Sequence, residues 1–192
     1  MRVAAVAVAI ALAACGGGGA KKTEPIGNET PSSSTKLDPV KGHELVDTYF
    51  ENMRSFSVYG GVEPMLPALE VQLSAGRVAH EAGEIADDVF ERHQTLVTMT
   101  AKLFEAAADE TERKATAEEV RAWAVRVEGA GEIGDGAILI VFVPAILAEV
   151  VNLHMMIDGV PAADREAQRA AYTKKYVDRE EPGVKTYDFP AN

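Results

Sequence analysis

Residues 134–159, GDGAILIVFVPAILAEVVNLHMMIDG, form the most apolar stretch of the chain, and they either span a bilayer or fill a core. As a helix, residues 137–157 are long enough to cross the hydrocarbon. Four observations favour a core. The uncharged run covers only Ala137 to Ala148, a length typical of buried core helices. Glu149, Asn152 and His154 fall in the second half, where lipid would penalise each of them. The flanking charges are Asp135 and Asp158, not the basic anchors of a spanning segment. The neighbouring segments also carry apolar stripes that need a surface to cover, and a helix apolar on all sides suits the centre of a bundle. Pro144 costs about 3 kcal/mol in a helix interior. It therefore predicts either a kink or a helix that begins at Pro144 after a short extended piece.

Around this segment the pattern is helical almost throughout. Asp38-Pro39 supplies a cap and a first-turn proline. Leu45, Val46, Tyr49, Phe50, Met53 and Phe56 then recur at threes and fours, and Gly60-Gly61 closes the helix. From Pro64 to Lys114 a second helical pattern carries Val78, Ala82, Ile85, Val89, Leu96, Leu103 and Ala107. One straight rod of that length would measure about 75 Å, so a break is expected near Gly76 or Gly83. The pairs Asp88/Arg92, Asp109/Arg113 and Glu110/Lys114 suit a solvated helix face. Thr116-Ala-Glu-Glu119 reads as a capping box that opens a short helix with Val120, Trp123 and Val127 inward. Glycines 129, 131, 134 and 136 make the connection to the apolar helix. Gly159 ends that helix, and Pro161 starts a last one reaching about Glu180, with Ala163, Ala167, Ala170 and Val177 inward. The expected fold is all-α: a bundle of about five helices over residues 37–181, with 137–157 as a near-fully apolar central helix. Residues 182–192 read as a loose tail on which Tyr187 and Phe189 could dock.

The N-terminus follows different rules. Arg2 is followed by an unbroken apolar run, Val3 to Ala14, too short to cross a bilayer as a helix. The run ends in Leu12-Ala13-Ala14-Cys15, and four glycines follow. Here the chain resembles bacterial lipoproteins, whose lipobox Leu-Ala-Ala-Cys matches. The resemblance covers only the first twenty residues or so. It implies removal of residues 1–14 as a signal peptide and lipidation of Cys15, with several acyl chains giving a stable membrane anchor. In that family an Asp after the cysteine keeps the protein in the inner membrane. Gly16 stands there instead, which points to an outer membrane, with the domain facing the periplasm or the cell surface. Residues 15–36 then form the lipidated cysteine and a flexible tether rich in Gly, Ser and Pro.

Composition narrows the function without naming it. The chain has 30 acidic and 19 basic residues, a formal charge of −11. That balance argues against nucleic acid and against a polybasic grip on anionic lipid. The single cysteine, Cys15, is taken by the anchor, so the core must hold without disulfides.

Each polar constellation has a bland reading beside a chemical one. Glu149 and Asn152 share a helix face, and His154 lies well round from them, one turn before Asp158. They are the candidate polar groups of a ligand site, and Glu149 is expected at a solvent seam on the bundle boundary. His80, Glu84, Asp87, Asp88, Glu91 and His93 could offer a cation two or three ligands, yet a charged outer face accounts for them. The Glu-x-x-His pairs of di-iron bundles are missing, as is His-Glu-x-x-His. Met53, Met65 and His154 could be imagined as haem ligands, but methionine at helical spacing is usually core. Residues 129–134, GAGEIG, follow a helix, not the strand that a nucleotide-binding turn requires. No catalytic, metal or cofactor site is therefore expected. The expected function is a non-enzymatic, lipid-anchored envelope protein acting through contact with another envelope protein or as a structural component. The alternative is a carrier of a small apolar ligand or lipid, with a cavity beside residues 137–157.

Overall fold

A computed structural model describes residues 37–59, 65–106, 110–131 and 138–178, without the side chains of 55–59 and 138–141. All of the described residues belong to one compact unit, which begins after residue 33. The expected signal peptide, Cys15, the tether and the tail at 182–192 lie outside the described residues, as do Asp109 and Ala107. Within them, every regular element is a helix: α1 Pro39–Tyr59, α2 Met65–Glu81, α3 Asp87–Glu105, α4 Glu110–Ala124, α5 Ile138–Ile157 and α6 Ala162–Tyr176.

The first helix starts where its cap residue predicts. Asp38 Oδ1 accepts from the Val40 amide at 3.0 Å, and Pro39 needs no partner for the hydrogen it lacks. Leu45, Val46, Tyr49 and Phe50 are buried along one face. α2 and α3 are one helical hairpin broken at Gly83, whose φ of +70° suits glycine. Gly76 is no break: it sits buried inside α2. The break also shifts the inward face. Leu69, Gln72, Gly76 and Ala79 point in on α2, which leaves Val78 61 % exposed, against expectation. On α3 the expected stripe holds, with Val89 and Leu96 buried.

The capping-box expectation fails. α4 begins at Glu110 and runs straight through Thr116–Glu119, since an exposed Ser/Thr-x-x-Glu is also compatible with a helix interior. Val120, Trp123 and Val127 are nonetheless the buried stripe, and Trp123 tilts against Phe142 at 5.7 Å.

α5 is the centre. It packs against α1, α3, α4 and α6, and Ala145, Ile146, Val150, Leu153 and Met155 are at most 3 % exposed. Among the described residues no single helix is long and apolar enough to cross a membrane; only α5 from Phe142 taken with α6, bent by 117°, passes by length and composition. Pro144 lies inside the helix and on its exposed side, where water can satisfy the carbonyl that its ring leaves unbonded. α1 and α5 run antiparallel and close: a Cβ on Gly42 would sit 3.1 Å from Ile157.

α6 corrects one more expectation. Ala163, Ala167 and Ala170 face solvent. The helix is held instead by longer side chains, with Tyr176 its only buried residue, because α5 offers it polar partners that alanine cannot reach.

Candidate functional site

The three polar residues singled out on α5 belong to two different clusters. Glu149 and Asn152 meet, with Asn152 Nδ2 donating to Glu149 Oε2 at 3.1 Å. His154 points elsewhere, as its azimuth on the helix requires.

Glu149 is not a seam residue. It is 3 % exposed, and Arg92 of α3 grips it with two hydrogen bonds, Nε to Oε1 and Nη2 to Oε2, each 2.6 Å. Such a fork is the strongest geometry available to a carboxylate. It also holds the Arg92 guanidinium above its ordinary pKa against the opposing effect of burial. The expected Asp88/Arg92 surface pair gives way to this one because Arg92 reaches inward. Asn152 Nδ2 donates to the Glu128 carbonyl at 3.0 Å, and its Oδ1 accepts from Arg169 Nη1 of α6 at 2.8 Å. Arg169 also lies 3.5 Å from Glu128 Oε1. A Cβ on Gly129 would run into the Arg169 guanidinium, and φ there is +81°, so that position calls for glycine on two counts. One network thus ties α3, α5, α6 and the turn after α4.

Beside it lies an open groove of about 330 Å³ lined by Glu91, Arg92, Thr95, Trp123, Arg126, Val127 and Glu149. Its buried acid, Glu149, is paired with Arg92, while Glu91 and Arg126 also line the groove.

The second cluster joins α1, α5 and α6. His43 Nδ1 and His154 Nδ1 are 2.8 Å apart. His43 Nε2 lies 2.8 Å from Asp158 Oδ1, and Tyr172 donates its hydroxyl to Asp158 Oδ2 at 2.7 Å. His154 Nε2 faces Asp47 Oδ1 at 3.5 Å. His154 is fully buried and stacked on Tyr176 with ring centroids 3.6 Å apart. Burial pushes the Asp158 carboxyl up, but the bonds from Tyr172 and His43 outweigh it and hold it below its ordinary value. Burial and the same carboxylate push Tyr172 up to about 12. An Asp–His pair can serve as a general base through the histidine's free nitrogen. Here that nitrogen is spent on His154.

The remaining candidates separate as well. His80 pairs with Asp87 at 2.8 Å and stacks on Phe90 at 4.3 Å, at the surface turn. His93 points the other way, into the core at 0 % exposure. Among the described residues no three His, Asp, Glu or Cys side chains gather as a metal site. Met65 is core on α2, and Met53 packs at the edge of the same cluster. The partners that sequence reasoning missed are Arg92, Arg169, His43 and Tyr176. All four come from other helices, at separations of 17 to 111 residues, and only the closeness of His154 to Asp158 hinted at the second cluster.

Comparisons with known protein families, with characterised proteins and with solved structures return no match to this chain.

Proposed function

We propose that the mature chain is a lipid-anchored protein of a bacterial envelope, held in the outer membrane by acyl chains on Cys15. In this reading it acts without catalysis, through contact with another envelope protein or as a structural component. The observation that carries the proposal is the ordered series of one basic residue, an apolar run and Leu12-Ala13-Ala14-Cys15. The domain supports the non-enzymatic part. Both oxygens of Glu149, both ring nitrogens of His43 and both oxygens of Asp158 are engaged in joining helices. Groups so occupied hold the fold together; they are not presented to a substrate. Val71 and Val78, 68 % and 61 % exposed and two turns apart on α2, offer apolar contact on the outside.

The carrier alternative draws less support. A hollow of about 40 Å³ lies where α1 meets α5, lined by residues such as Gly42, Ile85 and Ile157. That is room for a few waters, and the larger groove beside Glu149 is open and has charged side chains in its lining, Glu91, Arg92, Arg126 and Glu149, which does not suit an acyl chain.

Metabolic labelling with palmitate tests the anchor. The natural chain should take up label and fractionate with outer membrane, and Cys15→Ser should lose both. Equal labelling of Cys15→Ser would refute the anchor. Cross-linking in intact cells tests the contact: a discrete adduct lost on Val71→Lys/Val78→Lys supports it. A chain that stays free at native abundance refutes it.

A further inference from the structure

The His43–His154 contact has a proton count that follows from its geometry. Two imidazole nitrogens 2.8 Å apart hold one hydrogen between them, one ring donating and the other accepting. The outer nitrogens face carboxylates, His43 Nε2 towards Asp158 at 2.8 Å and His154 Nε2 towards Asp47 at 3.5 Å. A carboxylate can only accept, so each outer nitrogen is best satisfied when it carries a hydrogen. The pair then holds three protons and one positive charge between two negative ones. A fourth proton can enter only on the shared line, where it sets two N–H groups head to head.

This contact joins α1 to α5, and α6 packs over it through Tyr176 and Tyr172. The groups around the two rings are His43 and Asp47 from α1, His154 from α5, Asp158 from the turn after it, and Tyr172, Lys175 and Tyr176 from α6. Tyr176 stacks on His154 at 3.6 Å and on His43 at 5.3 Å, while the Lys175 ammonium sits 4.5 Å from the Tyr176 ring centre. A second positive charge on the pair would therefore also meet Lys175. Away from the rings, the helix is held by Arg169, which meets Asn152 at 2.8 Å and Glu128 at 3.5 Å, and by Arg165, which donates to the Val160 carbonyl at 3.1 Å. Beneath it lie Val151 and Met155 of α5, 2 % and 0 % exposed, in a small cluster with Val160, Tyr172 and Val177.

We propose that the His43–His154 contact is a proton-operated latch: with one shared proton it clamps α6 to α1 and α5, and uptake of a second at the same position releases α6 and bares Val151 and Met155. The proposal does not depend on the lipid anchor.

Amide hydrogen exchange on the full chain in detergent micelles, at pH 7.5 and 5.5 and corrected for intrinsic rates, tests it. Exchange of α6 amides relative to α2 amides should rise about tenfold or more at the lower pH, the change that one proton supplies per pH unit. An unchanged ratio overturns the latch. In His43→Gln, which takes up no second proton, the ratio should be the same at both pH values. A tenfold rise that persists there overturns it too. If His43→Gln does not fold, ring-nitrogen NMR on the natural chain decides. A scalar coupling between the two Nδ1 atoms should be present at pH 7.5 and gone at 5.5. Coupling absent at 7.5 or surviving at 5.5 overturns the proposal.

Discussion

The α3–α5 contact and the α2–α3 contact each bury an ionisable side chain, Glu149 in the first and His93 in the second. Glu149 is 3 % exposed and His93 0 %. Their surroundings differ in kind. Glu149 has a guanidinium fork and an amide. Among the described residues neither ring nitrogen of His93 has a hydrogen-bond partner, and the ring lies so close to Gly76 that a Cβ there would fall 2.8 Å from its Nδ1. Burial alone pushes His93 down to about 4, so it stays neutral at pH 7. The same degree of burial is thus met by pairing in one place and by loss of charge in the other. A pair is fragile towards loss of a partner. A neutralised group is fragile towards acid.

The largest effect should come from Arg92→Ala, which strands a buried carboxylate. Chemical denaturation should show a loss of about 3–4 kcal/mol. Glu149→Gln should cost less, about 1–2 kcal/mol, since Arg92 is 30 % exposed and can turn to the groove water. Equal losses from the two changes would break the asymmetry. Next comes acid. The folded value of about 4 for His93 lies below its ordinary 6.5, so the unfolded chain takes the proton first. This group's contribution is complete above pH 6.5 and is lost as pH falls towards 4, by roughly 3 kcal/mol in all. His93→Leu should flatten that part of the stability–pH curve; a slope that remains would assign it elsewhere. At pH 7 the same change should stabilise by about 1–2 kcal/mol, because a buried polar ring without partners is replaced by an apolar one. The smallest effect is expected for Tyr49→Phe, about 1 kcal/mol. Tyr49 shares a buried 2.7 Å hydrogen bond with Thr100, a satisfied neutral pair between the two extremes. A loss above 3 kcal/mol would show that neutral pairs here behave like the ionic one.

Much of the architecture was legible because it rests on local rules. The Asp38 cap, the stripe through Leu45, Val46, Tyr49 and Phe50, the break at Gly83 and the end of α5 at Gly159 each follow from spacing or from a backbone conformation that one residue type tolerates. The failures are equally physical. Thr116–Glu119 looked like a start because a capping signature and a helix interior use the same residues. The alanines of α6 looked inward because alternation shows which residues share a face, not which face another helix will cover.

The sequence by itself determined that the domain is helical and that its most apolar segment would form the centre of the bundle, as the described side chains of α5 from Phe142 onward do, since periodicity and hydropathy act within a few turns. It also carries Leu12-Ala13-Ala14-Cys15, which resembles a lipobox and on which the proposed anchor rests. Only the tertiary structure decided that Glu149 is paired, that His93 is stranded, and that His154 meets a histidine 111 residues away. A side chain's charge state and partners depend on which helices cross it and at what azimuth, and that depends on the packing of the whole bundle.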